Sequence, residues 1–256
     1  MKNEKTILLN MKKLFNTIYK GERSQSFRDI FKEVYGNDYL EGLNDENFIS
    51  MTDLQKIAKN LNIGPGETFI DVGCGRGAPG MWIARELGAN YLGFDLSEKA
   101  VEKASKRVME FGLENNAKFQ AGDICATDFP DNYFHGAISI DILGFVIDKR
   151  AAVKEVARIL RKGALFVVTC WEDEQSPLMK DFRLLLREAG FVIKLFEEIP
   201  DWERRQREVY QKFLESKKDL IKDMGREAAF VPIMEAKKYL PLLKYLKHVL
   251  AVGKKP

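Results

Sequence analysis

Apolar residues recur at helical spacing near the amino terminus. Residues 5–19 and 26–35 each place apolar side chains three and four positions apart, which predicts two amphipathic helices. A turn-rich link follows. A third helix is predicted from residue 52, where the stretch 52–55, "TDLQ", fits a capping box.

Beyond residue 68 the spacing of apolar residues alternates between the period of a strand and the period of a helix. Short β-branched and apolar runs predict strands at residues 69–72, 91–94, 117–120, 136–143, 164–170, 191–199 and 247–256. Helical patterns lie between them, including 177–189 and a long charged stretch at 201–224. Alternation of this kind predicts a parallel sheet with helices on both faces, and such sheets bind ligands at the carboxyl ends of their strands.

Composition narrows the class of protein. The 256 residues are 45% hydrophobic and 31% charged, which fits one α/β domain, or a core with a small cap, and argues against disorder. Net charge is only +3 and the signs are mixed, so no nucleic-acid partner is expected. Three separated cysteines and two histidines predict neither a zinc site nor disulfides. No apolar run is long enough to span a membrane, and we expect a cytoplasmic protein without a membrane partner.

A glycine-rich turn follows the first predicted strand. Gly73, Gly75 and Gly77 come directly after the strand that contains Asp71, and a helical pattern resumes from residue 81. Such a turn lets a ligand approach the backbone closely. A carboxylate just before it would repel the pyrophosphate of a dinucleotide and favours a ligand with a positive group. S-adenosylmethionine (SAM) has an ammonium and a sulfonium and no phosphate.

Three more acids fall at or near the ends of the next predicted strands. Asp95, Asp123 and Asp141 would therefore lie at the same edge of the sheet as the glycine turn. Asp95 is 24 positions beyond Asp71, where a carboxylate can accept hydrogen bonds from both ribose hydroxyls. Nicotinamide sites also place an acid there, so Asp95 alone does not discriminate between the two ligands. The four acids together predict a site for a cationic nucleoside.

Four segments carry a family resemblance. "DVGCGRG", "GFDLS", "GDI" and "VARILRKGALFVV" resemble motifs of class I SAM-dependent methyltransferases, in the small-molecule branch with ubiquinone/menaquinone-type, sugar and phosphoethanolamine methyltransferases. The resemblance implies a Rossmann-like seven-stranded sheet whose last strand is antiparallel, and SAM as cofactor, with S-adenosylhomocysteine as product. By motif position it assigns Asp71 and the turn of Gly73, Gly75 and Gly77 to the methionine end of SAM, Asp95 to the ribose, Leu96, Asp123 and Ile124 to the adenine, and Asp141 to the surroundings of the sulfonium.

The same resemblance divides the chain into four parts. It implies an N-terminal helical lid over residues 1–50, the SAM-binding core over 51–200, a helical cap insert over 201–240 and the final core strand over 241–256. Candidate residues facing the acceptor are Tyr35, Tyr39, Phe145, Trp171 and Trp202. A pocket entrance lined by aromatic rings would favour an apolar or aromatic acceptor, or a cation bound by cation–π contacts.

A catalytic base is not evident in the sequence. Relatives similar around "SIDILGF" carry a histidine four positions after the aspartate, where this chain has Phe145. Asp141 could be a base, a cofactor ligand or an anchor for a substrate ammonium. His135 and His248 are both expected at the surface.

Several functions remain open at this point. The favoured one is a SAM-dependent methyltransferase acting on an O, N or C atom of a small molecule. An RNA or protein methyltransferase with the same core is an alternative, although no basic face is evident and "IDIL" replaces the N/D-P-P-Y signature. A nicotinamide oxidoreductase is disfavoured by Asp71, and a SAM-binding protein without catalysis is also possible. The acceptor and the oligomeric state are not readable from the chain.

Overall fold

Seven strands form one sheet in the computed structural model, which describes residues 2–19, 24–43, 48–176 and 178–256. The strands are β1 Thr68–Val72, β2 Asn90–Asp95, β3 Ala117–Ala121, β4 Phe134–Ile140, β5 Leu160–Asp173, β6 Val192–Glu198 and β7 Leu246–Lys254. Their order is β3-β2-β1-β4-β5-β7-β6, and β7 runs antiparallel to both of its neighbours. The predicted seven-stranded sheet with an antiparallel last strand is confirmed.

Helices cover both faces of this sheet. They are α1 Lys2–Ile18, α2 Gln25–Tyr35, α3 Met51–Leu61, α4 Ala78–Leu87, α5 Glu98–Lys106, α6 Lys149–Ile159, α7 Phe182–Glu188, α8 Trp202–Glu215, α9 Lys217–Met224 and α10 Arg226–Tyr239. Because successive side chains of a strand point to opposite faces, Phe69 belongs to one apolar cluster and Ile70 to the other. In the described part of the chain no helix is both long and apolar enough to cross a bilayer.

The charged stretch before β7 differs from its prediction. One helix was expected over residues 201–224, but α8 and α9 are separate helices, and α10 follows after Gly225, which has φ +80°. The helical periodicity stopped at residue 224, but α10 lies within the helical cap insert predicted over 201–240; it contains Pro232, and proline ordinarily argues against a helix. Ala229 and Ala236 of α10 are nevertheless buried, since α10 packs on α8 and α9.

The end of β4 and the start of α7 also differ from expectation. The predicted strand 136–143 ends at Ile140, because Asp141 has a left-handed backbone with φ +59°. The helix predicted from residue 177 begins at Phe182, and Pro177 lies outside the described residues.

Helix α3 has its capping box two residues earlier than the sequence indicated. Ser50 is the N-cap: its hydroxyl accepts the N–H of Asp53 at 3.2 Å, and the Asp53 carboxylate accepts the N–H of Ser50 at 2.9 Å. Thr52 instead binds Asp38 through its N–H at 2.8 Å and its hydroxyl at 2.9 Å. The prediction that Thr52 begins the capping box is therefore wrong.

Replacing Ser50 by alanine should lower the free energy of unfolding by about 1 kcal/mol, the usual cost of losing an N-cap. Ser50 is buried, whereas Thr52 is exposed and binds at the surface. Thr52→Ala is the matched control and should cost less, which urea unfolding curves of the two variants would measure. A larger loss for Thr52→Ala would contradict the assignment of the cap.

Candidate functional site

The turn between β1 and α4 is shaped by its glycines. Gly73 and Gly75 have φ values of +80° and +55°, in the left-handed region that glycine adopts without strain. A Cβ on Gly73 would lie 2.5 Å from Ile142, and one on Gly75 would lie 2.9 Å from the hydroxyl of Tyr19. Gly77, the third glycine, is the N-cap of α4, which begins at Ala78 and not at residue 81 as expected.

Asp71 lies in β1 just before this turn. Its side chain is buried, and the hydroxyl of Tyr91 donates a hydrogen bond to it at 3.1 Å. A Cβ on Gly80 would lie 2.6 Å from the Asp71 carboxylate, so this carboxylate lies directly beside the first turn of α4. The structure thus brings Asp71 and the glycine turn together, as the motif positions implied.

Asp95 ends β2 and joins two parts of the site. Its carboxylate accepts the N–H of Gly75 at 2.9 Å and the N–H of Ser97 at 2.8 Å. Burial raises the pKa of Asp95 above its usual value, and the backbone N–H groups of Ser97 and Gly75 offset part of this effect. Asp95 is therefore a buried residue that supports the glycine turn, and not simply an exposed residue at the sheet edge.

The residues assigned to the adenine follow β2 and β3 at the same edge of the sheet. Leu96, Asp123 and Ile124 are all half-buried. Asp123 accepts the N–H of Cys125 at 2.9 Å, which orients its carboxylate. The adenine assignment stays a prediction.

Helix α1 crosses the site. Asn16 accepts the hydroxyl of Ser97 at 2.6 Å and the N–H of Lys99 at 3.2 Å, both at the start of α5. Phe15 packs edge-on against Phe145, with 5.7 Å between ring centroids. Between residues 6 and 18 every side chain of α1 is exposed or half-buried, so the helix is attached by surface contacts.

Asp141 makes an unexpected pair with a distant histidine. Its Oδ1 atom lies 2.6 Å from Nε2 of His248 and accepts the hydroxyl of Thr169 at 2.8 Å. The N–H of Phe48 approaches the other carboxylate oxygen at 3.4 Å. Burial alone would raise the pKa of Asp141, but its interactions with His248 and the hydrogen bond from Thr169 outweigh burial and lower that pKa.

His248 is therefore not the surface residue that the sequence suggested. Its side chain is 0% exposed, and its ring stacks on Trp171 with 4.1 Å between centroids and 7° between planes. Because β7 is antiparallel, its first residues lie at the edge where the parallel strands end, and His248 pairs with Trp171 of β5. His135, by contrast, is half-buried at the opposite edge, where its Nδ1 accepts the N–H of Thr68 at 3.1 Å.

The five aromatic candidates do not form one group. Trp171 and Trp202 pack edge-on at 5.2 Å. Tyr35 is buried beneath the guanidinium of Arg205, 5.0 Å from the ring centroid, and Tyr39 is half-buried. Phe145 is 56% exposed on the α1 side of the site.

Phe48 is a further aromatic residue that the sequence analysis missed. Its ring packs edge-on against Trp171 at 6.3 Å and against Tyr210 of α8 at 5.8 Å. It lies in a turn-rich link, where no periodicity marks a residue as buried or exposed. Within the described residues there is no group of three or more His, Cys, Asp or Glu side chains that could hold a metal ion.

Comparison with known proteins agrees with this arrangement. Residues 70–168 match a family model described as a methyltransferase domain. A sterol 24-C-methyltransferase of Yarrowia lipolytica is 27% identical over 210 residues, which are 77% of this chain and 52% of that protein. The chain spans about half the length of the first curated relatives it matches.

Solved structures show the same fold. The [4+2]-cyclase SpnF has a TM-score of 0.72 and 19% identity, covering 89% of this chain and 92% of its own. A phosphoethanolamine N-methyltransferase of Haemonchus contortus, in complex with phosphomonomethylethanolamine and S-adenosylhomocysteine, has a TM-score of 0.68 and 18% identity, covering 89% of this chain and 56% of its own. The class I methyltransferase fold implied by the motifs is confirmed.

Proposed function

We propose that this chain, which carries a methyltransferase domain of the class I fold over residues 70–168, transfers a methyl group from SAM to a small-molecule acceptor. The observation that carries this proposal is the direct bond between the Asp95 carboxylate and the N–H of Gly75. It joins the acid at the end of β2 to the glycine turn after β1, at the edge where parallel strands bind ligands.

The residues at this edge fit SAM chemically. The buried carboxylate of Asp71 suits the ammonium group, and the glycine turn leaves room for the methionine chain. Asp95 suits the ribose hydroxyls, because an ionised carboxylate is purely an acceptor. Leu96 and Ile124 would contact the adenine, and Asp123 would accept its amino group.

When bound, SAM supplies an electrophilic methyl group on its sulfonium. The protein then has to orient the acceptor opposite the departing sulfur and keep water out. We assign the N-terminal lid role to α1 and the residue that follows it, since Tyr19 lies against Gly75 and Asn16 caps α5. The cap formed by α8, α9 and α10 would cover the acceptor side.

The aromatic residues on the acceptor side support a small acceptor with an apolar or aromatic body. Phe48, Trp171 and Trp202 supply flat apolar surface there. The named relatives act on a sterol and on phosphoethanolamine derivatives, so the acceptor itself is not assigned from them.

Two measurements test the proposal. Isothermal titration should show binding of SAM and of S-adenosylhomocysteine and no binding of NADH. Labelled-methyl SAM incubated with the protein and an extract of the source organism should then yield a labelled small molecule, identified by mass spectrometry. NADH binding without SAM binding would overturn the proposal, and SAM binding without methyl transfer would indicate a non-catalytic SAM-binding protein.

Replacing Asp71 by asparagine should weaken SAM and S-adenosylhomocysteine binding alike, about tenfold, because both ligands keep the ammonium that the carboxylate would hold. Asp131→Asn is the matched control, since Asp131 pairs with Arg158 at the surface. Titration calorimetry with both ligands provides the measurement. A loss of affinity confined to SAM would mean that Asp71 interacts with the sulfonium instead.

A further inference from the structure

The buried Asp141–His248 pair lies beside the proposed methyl-transfer site. Asp141 follows β4, and the next residue, Ile142, lies against the glycine turn, since a Cβ on Gly73 would be 2.5 Å from it. His248 reaches the same edge from β7. The imidazole therefore lies near the end of the site that would hold the methionine part of SAM.

The hydrogen bond between the two residues determines the form of the imidazole. The pKa of Asp141 is lowered, so its side chain is a carboxylate that can only accept a hydrogen bond. Nε2 of His248, 2.6 Å away, must then carry the proton. In the neutral imidazole this leaves a lone pair on Nδ1.

Nδ1 of His248 is buried and has no hydrogen-bond partner among the described residues. A buried polar atom without a partner destabilises the fold, so such atoms are rare unless a ligand satisfies them. The Trp171 ring stacks on the imidazole of His248 and so fixes the orientation of the imidazole plane. The pair is therefore oriented and lacks one hydrogen-bond donor.

We propose that His248 is the catalytic base and that the acceptor is a small molecule presenting an O–H or N–H group to Nδ1. This inference rests on the function proposed above. The lone pair of the acceptor oxygen or nitrogen forms the bond to the methyl carbon, and the electrons of the methyl–sulfur bond stay on sulfur. The acceptor proton passes to Nδ1, and the resulting imidazolium is stabilised by the Asp141 carboxylate.

The surroundings of the pair favour this proton transfer. Titratable groups on the neighbouring elements are Tyr35 on α2, Cys170 and Glu172 on β5, Glu198 on β6, and Lys247 on β7. Burial raises the pKa of Tyr35 and of Cys170, so both are neutral at physiological pH. Glu172 accepts the N–H of Phe182 and Glu198 accepts the indole N–H of Trp202, whereas Asp141 is the carboxylate hydrogen-bonded to the imidazole in the described structure.

Phe48 lies beside this pair. Its N–H approaches Asp141 at 3.4 Å and its ring packs on Trp171. Phe48 therefore adds apolar surface beside the pair.

The test compares the two histidines of the chain. His248→Gln keeps an amide that can donate to Asp141 but cannot take a proton, and His135→Gln is the matched control at the opposite edge. With labelled-methyl SAM and the extract, we expect His248→Gln to lower the rate of methyl transfer about a hundredfold or more. SAM affinity, measured by calorimetry, should change less than about threefold. His135→Gln should leave both unchanged.

A second measurement does not depend on the folding of His248→Gln. Long-range proton–nitrogen NMR spectra of the wild-type protein contain signals from just two imidazoles, one of them assigned with His135→Gln. We expect Nε2 of His248 to carry a proton and Nδ1 to carry none.

The outcomes separate this inference from the proposed function. Failure of the wild-type protein to bind SAM or to label any small molecule would overturn the proposed function. If the wild-type protein does label a product, an unchanged rate in His248→Gln would overturn the role of His248 alone. A proton on Nδ1 or a product methylated on carbon would do the same.

Discussion

Replacing Asp95 by alanine is expected to weaken SAM binding about a hundredfold or more, because two hydrogen bonds to a charged carboxylate contribute about 1.5–3 kcal/mol each. The same change removes the acceptor for the N–H groups of Gly75 and Ser97, so the glycine turn also loses its support. Both effects act in the same direction. Titration calorimetry with SAM measures the combined loss, and unchanged affinity would overturn the site assignment.

Asp95→Asn separates the two effects. The amide oxygen can still accept one backbone N–H, so the fold should be kept while affinity falls because the charge is lost. Asp123→Ala is the control at the neighbouring strand end, where the carboxylate is half-buried and accepts one backbone N–H. We expect its effect on affinity to be smaller.

The binding of SAM should also weaken in acid because of Asp95. Burial raises the pKa of this carboxyl in the free protein, and ribose hydroxyls that donate to its ionised form would lower it again. Affinity is therefore full above the pKa of the free protein and is lost as the pH falls through that value. The loss should begin at a higher pH than for an ordinary aspartate, and Asp95→Asn should abolish this dependence in the same titrations.

Replacing Arg205 by alanine is expected to lower the free energy of unfolding by about 3 kcal/mol, since breaking a buried ion pair leaves the other charge without its partner. Arg205 lies on α8, is 6% exposed, and donates to Asp53 at 3.2 Å and to the carbonyl of Pro200 at 2.9 Å. Its guanidinium also lies over the ring of Tyr35. This one side chain thus connects the cap to α2 and α3, and the melting temperature should fall by about 6–12 °C.

Arg204 is the matched control for this prediction. It is the preceding residue on the same helix and also pairs with acids, donating to Asp201 at 3.0 Å and to Glu208 at 2.9 Å, but its side chain is 51% exposed. Exposed pairs of this kind contribute about 0–1 kcal/mol, so Arg204→Ala should change the melting temperature little. Equal losses for the two variants in calorimetric melting would contradict the role assigned to Arg205.

Much of the fold was predictable because the relevant signals are local. A strand buried on both faces needs a continuous apolar run, as at residues 164–168, and an amphipathic helix needs apolar residues three and four apart, as in α2. The alternation of the two then leads to a parallel sheet. The glycine turn and Asp95 were found for the same reason, since each follows directly from the strand before it.

The tertiary structure decided which distant residues meet. Asp141 and His248 are 107 positions apart, and they pair because β7 runs antiparallel and places its first residues at the site edge. Arg205 and Asp53 are 152 positions apart and meet through packing of the cap on α3. The hydrophobic periodicity of the sequence does not reveal such a pair, because the free energy of bringing two charges together depends on their burial and distance in the folded chain. The sequence by itself determined the sheet, the glycine turn and the acids at the strand ends. Long-range packing decided which residue pairs with Asp141, how the cap of α8, α9 and α10 is attached to α3, and where α10 lies.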